Sequence, residues 1–262
     1  MPLVQFLADR LHVSRRRAKL LLDAHRVLVD GQRIWMAQHR LARHNLVEVL
    51  PGKAPVPTIN RDRILFANDG LVILNKPAGI LSVGKTSAEA GLRTLLRNDS
   101  ICAVHRLDRD TSGCMLFGIG ERAREALVGL FRLHAVGKVY HAIVAGTLSR
   151  ARGTLSRPVE NAPARTHYEV IRSGKSASHL RLTIATGRTH QIRQHCLSIG
   201  HPVLGDRSYG TSRRLSAAER QVPRQMLHAT SLAFRDPLAG GEIHVKAGLP
   251  PDFKACLKLF GL

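Results

Sequence analysis

The segment His105-Arg106-Leu107-Asp108-Arg109-Asp110-Thr111-Ser112-Gly113 sets two carboxylates between two arginines and runs into a Thr-Ser-Gly turn. A carboxylate held near cations can act as a nucleophile, or it can be half of an ion pair. In extended backbone Arg106 and Asp108 share one face while Leu107 points to the core. Asp110 has a local explanation, because an Asp before Thr-Ser-Gly can bond backbone amides in a turn. Asp108 has no such explanation, and the segment alone leaves catalysis and ion pairing equally open.

A second polar group lies at Thr186-Gly187-Arg188-Thr189-His190-Gln191-Ile192-Arg193-Gln194-His195. A glycine turn and a Thr cap lead into a helix carrying Gln191, Arg193, Gln194 and His195. Such a helix needs a polar partner: an Asp elsewhere in the chain, or solvent. Gly200-His201-Pro202-Val203-Leu204-Gly205-Asp206 reads as a rigid loop. Tyr140 lies in the strand-like run Lys138–Gly146, where a buried core tyrosine is the default.

One motif misleads. Residues 79–86, Gly-Ile-Leu-Ser-Val-Gly-Lys-Thr, satisfy the G-x-x-x-x-G-K-[ST] phosphate-loop pattern between a strand and a helix. Yet Ile80, Leu81 and Val83 are bulky where such a loop needs conformational freedom. Pro77 interrupts the approach, and no later apolar strand ends in an Asp placed to hold magnesium. The four cysteines form no C-x-x-C and the fourteen histidines no H-E-x-x-H. Free, buried thiols and no metal are therefore expected.

The elements that must position these residues are set by charge and periodicity. Among 262 residues, 31 Arg and 9 Lys face 19 acidic residues, a net charge of +21. That excess opposes compaction and points to a polyanionic partner. No apolar run approaches the ~20 residues of a membrane helix. The N-terminus lacks a signal-peptide pattern, so a cytoplasmic location is expected.

Residues 1–50 read as a compact module of their own. Leu3, Phe6, Leu7 and Leu11 fit one helical face, and Ser14 can cap a second helix with Ala18, Leu21 and Leu22 inward. Val27–Val29, Asp30-Gly31 and Arg33-Ile34-Trp35 read as a hairpin. Arg15, Arg16, Arg17 and Lys19 crowd a helix start, where the macrodipole favours anions. They are either a solvated charge run or, as the net charge favours, a phosphate-binding site. Residues 51–60 read as a proline-stiffened linker.

From 61 to 262 strands are expected near 64–67, 71–75, 114–119, 139–145, 166–171, 180–186, 232–234 and 243–246. Helices are expected near 88–97 and after Thr189. That irregular order implies an α+β domain with a mixed, largely antiparallel sheet.

His105–Gly113 matches the H-R-L-D-x-x-T-S-G signature of the pseudouridine synthases of the ribosomal large-subunit type, the RluA family, which the chain resembles along nearly its whole length. Lys138–Gly146 is similar to that family's K-x-Y-x-A-x-V-x-G segment. Thr186–His195, continued by His201-Pro202, Gly205-Asp206 and Tyr209-Gly210, resembles its T-G-R-T-H-Q-I-R-x-H…G-H-P…G-D…Y-G block. Asn75–Gly79 resembles its N-K-P-A-G loop, and residues 1–50 resemble an RNA-binding module named after a ribosomal small-subunit protein. The chain departs from the pattern at Pro2-Leu3-Val4, where R-L-D is common, and at Gly84-Lys85, which replace H-P.

The resemblance implies isomerisation of uridine to pseudouridine in a nucleotide flipped from its stack, with no metal or organic cofactor. It implies Asp108 as the nucleophile, Arg193 as its ion-pair partner and Tyr140 as the ring against the uracil. Arg106 would fill the gap left by the flipped base, and Arg15, Arg16, Arg17, Lys19 and Lys76 would contact RNA. Large-subunit ribosomal RNA is the expected substrate and a monomer the expected state. The alternatives are transfer RNA, or a non-catalytic RNA-binding assembly factor, which loss of Asp108, Tyr140 or Arg193 would mark; all three are present.

Overall fold

The computed structural model describes residues 1–24, 26–50, 57–209 and 215–262. In the N-terminal part, α1 (Leu3–Arg10) and α2 (Arg15–Asp23) share a core with a three-stranded antiparallel sheet of β1 (Val27–Val29), β2 (Gln32–Arg33) and β3 (Val47–Val49). Ser14 caps α2 by accepting a hydrogen bond from the Arg17 amide at 3.2 Å. The Asp30-Gly31 turn has both residues at positive φ, as a tight hairpin requires. Leu11 departs from the expected apolar face. The helix ends at Arg10, and Leu11 is 41% exposed.

The remaining strands form one ten-stranded sheet. Its elements are β4 (Ile64–Ala67), β5 (Leu71–Lys76), α3 (Ala88–Leu96), β6 (Ile101–Ala103), β7 (Ser112–Ile119), α4 (Glu121–Arg132), β8 (Gly137–Ala145), β9 (Arg152–Leu155), β10 (Thr166–Ser173), β11 (Ala177–Ile184), α5 (Gln191–Ser198), α6 (Ala217–Arg220), β12 (Leu227–Arg235), β13 (Glu242–Lys246) and α7 (Pro251–Leu259). The strand order is β4-β5-β7-β12-β8-β11-β10-β9, with β13 added to β12 and β6 to β7. Among the described residues, β7–β12 is the parallel pair and the others are antiparallel. This is the mixed α+β sheet expected.

Alternation along the strands sends apolar side chains to two faces. Val72, Leu74, Met115, Phe117, Tyr140, Ala142 and Leu182 share one core with Leu92 of α3 and with Ile192 and Cys196 of α5. Leu71, Ile73, Cys114 and Leu116 face the other way, with Leu127 of α4. Ile143 and Ala145 turn to that second face as well, packing with Phe253 of α7. The ring of Tyr140 thus lies on the same face of the sheet as α5. Ile59, expected in the linker, is 3% exposed and belongs to the first core. The rest of the expected linker, 51–56, lies outside the described residues. No helix among the described residues is long and apolar enough to cross a membrane.

The parallel β7–β12 contact is made at Ser112 and Gly113 against His228 and Ala229. Gly113 has φ +112°, and a Cβ there would run into the Ala229 backbone. Gly113→Ala should therefore destabilise the protein by at least ~3 kcal/mol, from backbone strain and overpacking together. Urea unfolding monitored by fluorescence checks this; a midpoint within error of wild type would contradict the close approach.

Candidate active site

The loop before β7 carries Asp108, and buried side chains hold its backbone from three sides. The Ser82 hydroxyl accepts from the Leu107 amide at 2.9 Å and donates to the Leu107 carbonyl at 2.7 Å. Lys76, fully buried at the end of β5, donates to the carbonyls of Pro77, Ile80 and Arg109 at 2.9–3.0 Å. Arg224, 2% exposed, donates to the Asp110 carbonyl at 2.8 Å and is itself paired with Asp252 at 2.6 Å. The Thr111 amide closes the turn onto the Asp108 carbonyl at 3.1 Å.

Arg193 rises from α5 to meet Asp108. Its Nη1 donates to Asp108 Oδ2 at 2.9 Å, while Nε and Nη2 donate to the two oxygens of Asp206 at 2.6 and 2.9 Å. The Arg193 and Asp206 side chains are 6% and 1% exposed, against 26% for Asp108. Burial works against the charge on Arg193, but Asp206 and Asp108 more than offset it, and the group stays cationic. Tyr209 lies beneath the guanidinium, 5.0 Å from ring centroid to Cζ. Gln225 Nε2 approaches Asp108 Oδ2 at 3.4 Å and donates to Thr111 Oγ1 at 2.7 Å. On the other oxygen, His190 Nε2 stands 3.6 Å from Asp108 Oδ1. One carboxylate oxygen is therefore fixed by Arg193, and the other faces a cleft of about 1150 Å³.

Tyr140, 8% exposed, lines that cleft beside Asp108. Burial, and then the Asp108 charge, push its phenol well above its ordinary pKa, so it is neutral and presents a ring. Arg106 is exposed at the cleft wall, and Lys19 reaches it from α2. The cleft exceeds the ~300–1,000 Å³ of ordinary small-ligand sites. Among the described residues, no group of three or more His, Cys, Asp or Glu is placed to hold a metal ion.

Residues 70–198 match the family described as RNA pseudouridylate synthase. The chain is 33% identical over 285 residues to an RNA pseudouridine synthase of Mycobacterium bovis, covering 97% of this chain and 92% of that protein. The chain belongs to the RNA pseudouridine synthase family. Its reaction is the isomerisation of uridine to pseudouridine in RNA. It is also similar to the ribosomal large subunit pseudouridine synthase D of Nitrosomonas europaea, 35% identical over 75% of this chain and 64% of that protein. Among solved structures it resembles human RNA pseudouridylate synthase domain containing 1, with TM-score 0.62 and 26% identity over 74% of this chain and 86% of that one.

Within this synthase, Asp108, Arg193, Tyr140, Arg106 and Lys19 come together, whereas Arg15, Arg16 and Arg17 are exposed on α2 outside the cleft lining. Lys76 is a correction. Expected at the RNA, it is fully buried, with its ammonium spent on three carbonyls beneath the Asp108 loop. His105 is also structural. It accepts from the Leu116 amide at 3.0 Å, stacks on Phe131, and is held neutral by burial, with a pKa pulled down to about 4. Asp110 does not bond backbone amides as expected; its Oδ1 accepts from Trp35 Nε1 at 2.7 Å. Residue type and spacing alone point to no role for Asp206, Gln225, Arg224 or Ser82. Only Asp206 carried a signal, as part of the Gly205-Asp206 match. The apparent phosphate loop is spoken for: Ile80 is buried, Lys85 is exposed, and the Gly79 amide donates to the Arg109 carbonyl.

Lys76→Met keeps the stem and removes the donor shared by three carbonyls, and should cost ~2–4 kcal/mol of stability. The slope of RNA affinity against salt should stay at its wild-type value, because no phosphate contact is lost. Burial lowers the Lys76 pKa to about 7. Between there and the ordinary lysine value the unfolded chain holds more protons, so this residue's contribution to stability rises with pH through that window. The wild-type advantage in urea unfolding should accordingly widen from pH 7 to pH 9. A flattened salt slope, or an advantage that shrinks with pH, would contradict the assignment.

Proposed function

We propose that this synthase modifies large-subunit ribosomal RNA, acting as a single chain in the cytoplasm, with Asp108 as its nucleophile. The observation that carries the assignment is the Asp108 carboxylate at a cleft wall, with one oxygen fixed by Arg193 and with Tyr140 lining the same cleft. The large-subunit target is supported by the similarity to synthase D of Nitrosomonas europaea and by a net charge of +21. Four free cysteines suit a reducing compartment.

The residues divide the work as follows. A uridine leaves its stack at a cost of a few kcal/mol, and Arg106 takes the space it vacates. Tyr140 lies against the flipped uracil. The carboxylate of Asp108 bonds to the nucleotide, and the bond between N1 and the sugar breaks. The uracil turns and rejoins the sugar through C5. The proton on C5 departs, N1 gains one, and Asp108 is released as a carboxylate. The product is an isomer of the substrate, so no oxidant or co-reactant enters. Residues 1–50 serve as an RNA-binding domain, with Arg15, Arg16, Arg17 and Lys19 against phosphates.

Asp108→Asn should abolish isomerisation, because the nearly isosteric amide cannot attack as a carboxylate, while RNA binding stays near wild type. Tritium release from RNA labelled at uridine C5 measures the rate, and pseudouridine mapping of ribosomal RNA from cells with and without the gene identifies the target. Near-normal turnover by Asp108→Asn would overturn the nucleophile, and an unchanged large-subunit map would overturn the substrate.

A further inference from the structure

Expectation from sequence gave the two parts of the chain separate duties, with residues 1–50 anchoring RNA and the rest doing chemistry. Two of the contacts between them fall on the two residues that follow Asp108. Trp35, just beyond β2, donates its indole N–H to Asp110 Oδ1 at 2.7 Å. Asp23, the last residue of α2, forms an ion pair with Arg109 at 2.5 Å, the two side chains 23% and 18% exposed.

The Trp35 ring also lies flat against Gly79. A Cβ at Gly79 would stand 3.0 Å from the indole Cε2 and Cζ2, and the φ of +88° there is itself a glycine conformation. Gly79 in turn donates its amide to the Arg109 carbonyl, the same carbonyl that Lys76 holds. The N-terminal part thus grips both strips of backbone on which Asp108 rests. It also supplies one side of the cleft, through Lys19, Asp23, Trp35 and Met36.

We infer that Trp35 and Asp23 are positioning residues for the isomerisation. By fixing Asp110 and Arg109 they set the aim of Asp108, so the domain that holds RNA also tunes the rate of the chemical step. This inference rests on the reading of Asp108 as the nucleophile. The physical basis is that a hydrogen bond to a carboxylate is stronger than a neutral one, and that a small misplacement of a reacting group is costly in rate. A domain serving only as an anchor would alter affinity and leave the rate at saturation alone.

The test uses the full chain and a large-subunit ribosomal RNA transcript tritiated at uridine C5. Single-turnover rates at saturating RNA, and RNA affinities, are measured for wild type, Asp108→Asn, Trp35→Phe, Asp110→Asn, the Trp35→Phe/Asp110→Asn double variant and Asp23→Asn. Trp35→Phe removes the N–H donor together with the outer part of the indole that packs on Gly79, so Asp110→Asn, which leaves that packing intact, isolates the hydrogen bond. The Trp35→Phe rate should fall about tenfold, the size of one charge-assisted hydrogen bond, with affinity falling less. The double variant should be no slower than the slower single, because both changes act on one contact, Asp110→Asn by removing the charge on its acceptor and Trp35→Phe by removing its donor.

Asp23→Asn should lower the saturated rate about threefold, as a partly exposed ion pair allows. It carries the test alone if Trp35→Phe does not fold. Wild-type rates for the folded Trp35 and Asp23 variants, with Asp108→Asn inactive, would overturn the positioning role and leave the nucleophile standing. Additive losses in the double variant would overturn it too. An active Asp108→Asn would overturn both.

Discussion

The Arg193 guanidinium, buried between two carboxylates, is the interaction on which the site depends. Asp206 takes the Nε/Nη2 edge of the fork and leaves only Nη1 for Asp108. Had Asp108 taken the bidentate edge, both of its oxygens would be occupied, and the proposed nucleophile would become half of a closed ion pair. The shared arrangement leaves the other oxygen outside the arginine's grip, with His190 Nε2 3.6 Å away. A buried arginine also needs its charge met inside the protein, and Asp206 meets it whatever Asp108 is doing. The remainder of the site follows from keeping that cation still. Gln191, 2% exposed, fastens the start of α5 through Thr186, Arg188, Arg165 and Thr166. Ile192 and Cys196 sink the helix into the core that Tyr140 also belongs to. Asp206 is aimed by the amides of Ser208 and Tyr209.

A second constraint acts on the backbone. The Asp108 loop crosses the start of β7, where Gly113 lets two strands come unusually close, and three of its carbonyls are claimed by buried donors from distant segments. Burying Lys76 and Arg224 under a loop is expensive unless every donor is used, and here the donors are the means of fixing the loop. A carboxylate held this way needs no reorganisation when it reacts. The contacts from Trp35 and Asp23 extend the same logic across to the N-terminal side of the cleft.

How far the sequence disclosed this depended on the range of the interaction. Local signals were readable: the Ser14 cap, the Asp30-Gly31 turn, the apolar runs of β5 and β7, and the need of the polar helix after Thr189 for an acidic partner or solvent; the pairing of Asp108 with Arg193 came only from the family resemblance. The misses were of two kinds. Three-residue strands such as β3 and β6 are too short to show a period, and α4 and α7 received no assignment, α4 following directly on the strand at Gly120. The others depend on contacts between residues far apart in sequence. Lys76 sits in the Asn75–Gly79 segment that resembles the family's N-K-P-A-G loop, and only the three carbonyls around it reveal its structural role. Asp110 was explained by its neighbours in sequence, whereas its partner is 75 residues away. Asp206 was visible in the Gly205-Asp206 match, but its hold on Arg193 depends on α5 and the following loop folding together.

The most direct measurement of the central claim is the single-turnover rate of Asp206→Asn at saturating RNA, set beside its RNA affinity. The amide keeps the size of the carboxylate but removes its charge and turns one acceptor toward a donor at Arg193. With Arg193 free to close on both oxygens of Asp108, the rate should fall ~100-fold, as the loss of a buried charge partner worth ~3 kcal/mol allows, while affinity changes little. A wild-type rate in the folded Asp206→Asn protein would show that Asp108 does not depend on an arginine held from behind.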